Sequence, residues 1–435
     1  MASTKIHWKF TPTSPALSWR YLRSSSVKVA HRTLTPALFS QMDSPHPAYL
    51  PPQWSVCTNP EGNQYFIRSS SPRIVTEMNL FEPDMMRCIT DVVQALEQRL
   101  EKFSSAISEA TEAFIELEDE ETCSYYLVDH TLRVPFWLEE VQTEAVALRE
   151  SVSNNHLRFD LEKLYWMHVE YFPAHDAVNL KLSIDELIDI MVHGRTDQMT
   201  SVTSTFPYDA DECTRFIHTL ELAQGSKLPP SAHTKWTVAR IWRNIADQRF
   251  ITHYGQEHAR LSSNISILEK SPPAKTVLFK FVSAISFGAP STYLRLLNDQ
   301  WVDEWAHAQR WRPFMSACHE DWKMSLLISF AILMCNLLLV SSPLASSTPV
   351  AVAALLLCNA AIGFSILLFI QHGPTGCRKE ASDIVSCAII LCTRPSITFL
   401  TCNRHGTSKT LTRSISAFSS PQSCSAYRGS SRSGR

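Results

Sequence analysis

The chain predicts a mainly α architecture with a small antiparallel β module near the N-terminus, a helical body and a C-terminal two-helix transmembrane hairpin. Three observations carry this prediction. From Met324 to Val340 the chain reads MSLLISFAILMCNLLLV, uncharged and with Asn336 as its one strongly polar side chain. After a break rich in Ser and Pro, Val350 to Ile370 is again uncharged. Each run approaches the ~17–25 residues that a helix needs to cross the hydrocarbon core. Helices satisfy their own backbone hydrogen bonds in lipid, so residues 323–371 read as a hairpin of two spans. The second observation is a pattern of turn and aromatic residues at 48–80 and again at 124–137. The third is apolar spacing at helical intervals, over 81–123 and through 138–322.

Charge divides the chain. Residues 1–47 hold six Lys/Arg and a single acid, Asp43, and read as a disordered basic N-terminus. The acid-free part, 1–41, has the composition of a mitochondrial transit peptide. Residues 372–435 hold nine Lys/Arg against Glu380 and Asp383, a basic Ser/Thr-rich tail expected to be disordered. Removing those +5 and +7 from the formal −2 leaves about −14 for the middle of the chain, which argues against a nucleic-acid partner. Twelve cysteines show no CxxC pair and no zinc-type Cys/His spacing. They read as small apolar residues in a reducing compartment.

The first module begins Leu50-Pro51-Pro52-Gln53-Trp54, continues through Pro60-Glu61-Gly62 and reaches Tyr65-Phe66. Gly62 lies eight residues after Trp54 and the aromatic pair starts eleven after it. This spacing resembles a WW domain, a three-stranded module that binds proline-rich peptides. The resemblance implies a core of Trp54, Pro51 and Phe66, a tight turn at Gly62, and Tyr65 as one wall of a ligand slot. Where the family has its second Trp this chain has Thr76.

Glu82-Pro83 opens a helix, with Pro in the first turn. Apolar residues follow at Met85, Ile89, Val92, Leu96, Leu100, Phe103, Ile107, Ala110 and Phe114, a seam suited either to packing on the body or to a coiled coil. Self-association through 85–114 is the partner that the second option implies. At 124–137, Tyr126 is followed by Asp129-His130 and, eleven residues on, by Trp137. This resembles the second half of a WW domain, with no leading Trp. Strand alternation puts Tyr126, Val128 and His130 on one face. The resemblance adds Trp137 to that face and implies a peptide groove of Tyr65, Tyr126, Val128, His130 and Trp137. Burial of the same hairpin against helices is the alternative.

In the helical body, amphipathic stretches run over 140–150, 156–172, 209–223 and 235–250, and Ser183 to Glu186 forms a capping box for a helix ending at Gly194. No P-loop, GxGxxG, GxSxG or HExxH is present, so no catalytic, cofactor or metal site is assigned. The polar groups that stand out are His168, Glu170, His175 and Asp176, and the pair His253/His258, which is five apart rather than the four of a helical metal pair.

Arg310, Arg312 and Lys323 precede the first span, Arg378 and Lys379 follow the second, and the turn is uncharged. The positive-inside rule puts both termini in the cytosol, at an endomembrane or a mitochondrial one. The order of parts is similar to fungal proteins that join a WW-like module to a helical body and a membrane hairpin. The expectation is a membrane-anchored adaptor or scaffold engaging a proline-rich peptide or protein partner through the aromatic hairpins or the helical seam. The alternatives are a membrane-bound enzyme using the His168/Glu170/His175 group and a structural protein that shapes an organelle membrane.

Overall fold

Strand alternation sets which side chains of the central sheet meet which helices. The computed structural model describes residues 8–18, 20–21, 29, 31, 50–103, 107–119, 121–175, 179–225, 230–268, 277–285, 288–303, 305–306, 308–340, 352–353 and 355–363. They divide into two units, Met1–Leu261 and Ser262–Arg435.

The first unit holds one mixed sheet of seven strands: β1 (Lys9–Pro12), β2 (Trp54–Thr58), β3 (Gln64–Arg68), β4 (Arg73–Thr76), β5 (Thr111–Leu117), β6 (Thr122–Asp129) and β7 (Val134–Phe136). Their order is β1-β6-β5-β4-β3-β2, with β7 also on β6. The β2–β3–β4 segment is an antiparallel meander, whereas β4 and β5 run parallel. Parallel neighbours need a long crossover, usually a helix, and here it is α1 (Pro83–Glu101). Strand β6 returns antiparallel from β5, with β1 beside its first half and β7 beside its second.

This topology corrects the division into small parts. The strands at 48–80 turn where expected, with Gly62 at φ +92° and its N–H on the Asn59 carbonyl at 2.8 Å. They do not stand alone: β4 continues the sheet into β5, and the 124–137 hairpin is β6 and β7 of the same sheet. Nor is all of 1–47 free of structure, because Trp8 is buried and β1 pairs with β6. The reason is hydrophobic: a meander this small buries too little apolar surface by itself, and here α1 and β5 supply the rest.

Helix α1 covers one face of the sheet. Its Ile89, Val92, Leu96 and Leu100 pack with Phe66, Ile74, Ala113, Ile115, Tyr125 and Leu127. The seam predicted to continue to Phe114 stops at Glu101, and Thr111–Leu117 is strand. Over so short an apolar run, buried on both faces, helical and strand periods cannot be told apart.

The opposite face carries α2 (Asn154–Tyr171), α3 (Leu180–Thr200), α4 (Ala210–Gln224) and α5 (Ala232–Ile251), with α2 packed on α5 and α3 on α4. Side chains of Ser153, Asn179, Asp209 and Ser231 accept from first-turn N–H groups and cap the four helices. The full capping box is Asp209/Glu212. That predicted at Ser183 lies inside α3, which runs past Gly194 to Thr200; the Phe206 ring packs on this glycine, where a Cβ would meet it at 2.3 Å. The helix predicted over 140–150 is reduced to one 3-10 turn, Thr143–Val146.

The second unit contains α6 (Val277–Ile285), α7 (Ala289–Gln300), a two-stranded turn of β8 (Trp301–Val302) and β9 (Trp305–Ala306), and α8 (Ala308–Val340). Trp311 and Met315 at the start of α8 pack on Leu297, with Trp322 against them. Among the described residues, α8 is the one helix long and apolar enough to cross a membrane, and its apolar window is not buried in the protein. Leu327 and Leu338 are 63% and 70% exposed. In the second apolar run, residues 352–353 and 355–363 are helical, and the Asn336 amide donates to Cys358 Sγ at 3.8 Å. A further apolar stretch of the sequence, residues 384–400, and the basic tail lie outside the described residues.

Candidate functional site

The residues assigned to a peptide groove are interior. Tyr65, Tyr126, Val128 and His130 are all at most 5% exposed. Strand alternation does place Tyr126, Val128 and His130 on one face, but that face points at α2 and its neighbours. The Tyr65 ring meets Phe172 edge-on at 5.3 Å, and Tyr126 stacks on Phe114 at 4.8 Å. Trp137 is half-buried, donates from Nε1 to the Thr13 carbonyl at 2.8 Å, and lines an open depression of about 220 Å³ with Leu157 and Leu161. Trp54 and Phe66 sit on the α1 side, and the Pro51 carbonyl accepts the Trp54 N–H at 2.9 Å.

What the aromatic face encloses is a carboxylate among imidazoles. Glu112, in β5, faces the same way as Phe114, while Ala113 and Ile115 face α1. Its Oε2 lies 3.0 Å from His130 Nε2 and 3.6 Å from His168 Nε2. His130 follows the end of β6 and His168 belongs to α2, so the carboxylate joins sheet to helix. The other nitrogen of each ring meets a phenol: His168 Nδ1 lies 3.1 Å from the Tyr126 hydroxyl, and His130 Nδ1 lies 3.4 Å from that of Tyr165. Glu112 Oε1 turns to Arg73 Nε at 3.4 Å. A third imidazole, His175, stacks on His130 with ring centroids 3.9 Å apart and is 1% exposed. Its carbonyl accepts from Lys235 Nζ at 2.5 Å, yet neither ring nitrogen has a hydrogen-bond partner, nor does His168 Nε2 within bonding distance.

Electrostatics follow from this enclosure. Burial alone would raise the Glu112 carboxyl, but the hydrogen bond from His130 and the close His168 and His175 rings outweigh it and hold the group well below its usual range. Burial pushes the His168 ring down, and burial followed by the nearby His130 pushes His175 well down. Both are therefore neutral at physiological pH, the protonation state in which imidazole ligates metals.

Two members of the polar group picked out in the sequence separate here. Glu170, two residues from His168, projects away from the cluster and binds Arg240 and Arg243, the latter from Nη1 at 2.9 Å. Asp176 lies outside the described residues. His253 and His258 meet edge-on at 5.5 Å, and His156 packs on His253 at 4.2 Å. The His156 nitrogens are already engaged by the Phe250 carbonyl and the Val152 N–H. The sequence reading singled out His130, His168 and His175 under separate motifs and missed Glu112, which it placed in a helical seam. An acid inside the apolar run Thr111 to Leu117 was the signal that could have found it.

A second feature is an open groove of about 710 Å³ on the same unit, lined by Arg133, Arg158, Arg249, Glu162, Asp189 and Trp242 among others. Arg249 lies over both the Trp242 and Tyr254 rings, at 5.6 and 5.1 Å. No protein-family model, curated protein or solved structure matches this chain.

Proposed function

We propose that the chain is a membrane-anchored scaffold, its α/β body held in the cytosol by an apolar hairpin of which α8 is the first span. The observation that supports this most is the exposure of α8: within its uncharged run, residues 324–338 belong to a helix whose apolar window the protein leaves uncovered. In water such a surface is a liability, and in lipid it is the required one. The polar Asn336 amide finds Cys358 in the second apolar run, which supports that run as the returning span. Residues Arg310, Arg312 and Lys323 on one flank and Arg378 and Lys379 on the other keep both termini on the cytosolic side.

For the scaffold's protein partner we assign the open groove rather than the aromatic hairpins, because recognition needs exposed side chains and the groove offers both charges beside an aromatic floor. The experiment is alkaline-carbonate extraction and protease protection of a full-length chain tagged at both ends. The chain should stay in the membrane pellet with both tags digested in sealed vesicles. Release by carbonate, or protection of the N-terminal tag, overturns the proposal. On a peptide array, proline-rich ligands should not bind; binding that is lost in Trp137→Ala would return the partner site to the aromatic hairpin.

A further inference from the structure

We propose that Glu112, His130 and His168 form a buried structural site for a divalent first-row transition ion, zinc being the expected occupant. One ligand atom from each of Glu112, His130 and His168 lies within 4.8 Å of the others, and all three residues are buried. In a tetrahedral zinc site with bonds of ~2.0–2.1 Å, neighbouring donors stand roughly 3.4 Å apart. The separations of 3.0 and 3.6 Å from Glu112 Oε2 to the two Nε2 atoms bracket that value.

The arrangement around those donors is the stronger argument. Metal-bound imidazoles hand their second N–H to an oxygen, which fixes tautomer and ring orientation. Here both Nε2 atoms converge on one carboxylate oxygen while both Nδ1 atoms meet tyrosine hydroxyls, Tyr126 for His168 and Tyr165 for His130.

An ion-free alternative is a buried Glu112–His130 pair. It accounts for those two residues but leaves three imidazole nitrogens unsatisfied: His168 Nε2 and both of His175. Buried polar groups without partners are costly and uncommon. A cation at this point engages His168 Nε2. Arg73 engages Glu112 Oε1 and leaves Oε2 for the ion. Two imidazoles and a carboxylate suit zinc and its first-row neighbours rather than magnesium or calcium, which prefer oxygen.

Such an ion would tie β5, the end of β6 and α2 into one point. Every donor residue is at most 5% exposed, so the ion would be shut off from solvent and substrate, as in a structural rather than a catalytic centre.

The test uses the full-length chain, purified in detergent with a tag free of histidine, and elemental analysis after incubation with zinc and desalting. About one ion per chain is expected, and cobalt substitution should give the visible spectrum of a four-coordinate site. Glu112→Gln should abolish retention. Tyr126→Phe removes only a hydroxyl, keeps the fold by circular dichroism, and should weaken zinc binding by ~10–100-fold. Failure of the folded wild-type chain to retain any transition ion overturns the proposal, as does zinc retention unchanged in Glu112→Gln. So does an affinity in folded Tyr126→Phe equal to wild type.

Discussion

The two faces of the seven-stranded sheet are built on opposite principles. Toward α1 the interior is almost wholly hydrocarbon: Ile89, Val92, Leu96 and Leu100 against Ile74, Ala113, Ile115 and Leu127. Toward α2 the same strands present Tyr65, Tyr126, Glu112 and His130, and the helical layer beyond adds buried charge. There Glu170 lies between Arg240 and Arg243, and Asp247 between Arg149 and Lys163. An apolar face tolerates repacking so long as volume is kept. A polar interior is specific in a different way, because each group needs its partner and losing one strands the other. One face supplies cohesion and the other fixes how the helices sit on the sheet.

That contrast can be broken first at Glu170. Glu170→Ala leaves Arg243, itself 5% exposed, without its carboxylate. The expected loss is roughly 3–5 kcal/mol, read from thermal or denaturant unfolding of the detergent-purified chain. A loss comparable to a surface substitution would mean that the charges on this side are solvated. On the other face, Leu96→Ala opens a cavity at a fully buried position and should lose about 2–4 kcal/mol. Leu96→Met should lose less than ~1.5 kcal/mol. Unfolding curves of the pair thereby separate lost volume from lost shape.

Acid sharpens the comparison next. Burial would raise Asp247, but Lys163 and Arg149 more than offset it and bring the carboxyl down to about 2 from the usual 3.8. A group depressed on folding contributes stability above its unfolded value and forfeits it as pH falls toward its folded one. The Asp247 contribution, about 2 kcal/mol, should therefore be complete above pH ~4 and vanish near pH 2. A plot of melting temperature against pH checks this: Asp247→Asn should flatten that segment, whereas Leu96→Ala should shift the curve down without changing its slope. The smallest effect belongs to Phe103, a predicted seam residue that falls beyond α1 and is 42% exposed. Phe103→Ser should change stability by no more than ~0.5 kcal/mol, and should leave the oligomeric state on light scattering unchanged. A dimer lost in that variant would restore the coiled-coil reading of residues 85–114.

Much of the molecule was legible from local pattern. The helices at α1, α2, α4 and α5 announce themselves through apolar spacing and caps, and Pro83 and Asp209 stand where they begin. The turn at Gly62 and the common face of Tyr126, Val128 and His130 follow from strand geometry. The apolar run of α8 needs only composition. The candidate site was legible only in fragments. His130 looked like part of a peptide slot, His168 and His175 looked like a loose polar group, and Glu170 looked like their partner when Glu112 is.

The reason is physical. Periodicity and propensity are properties of neighbours in the chain, so the sequence by itself determined most of the individual helices, the meander's turn and the apolar run of α8. Which face of a strand is covered, and by what, depends on contacts between residues far apart. Between Glu112 and His168 lie the rest of β5, the strands β6 and β7 and most of α2, and no local signal links them. The β4–α1–β5 crossover decided that the strands of residues 48–80 would become one edge of a larger sheet. Packing α2 on that sheet then turned an aromatic face, open in a lone hairpin, into the enclosure of a carboxylate and three imidazoles.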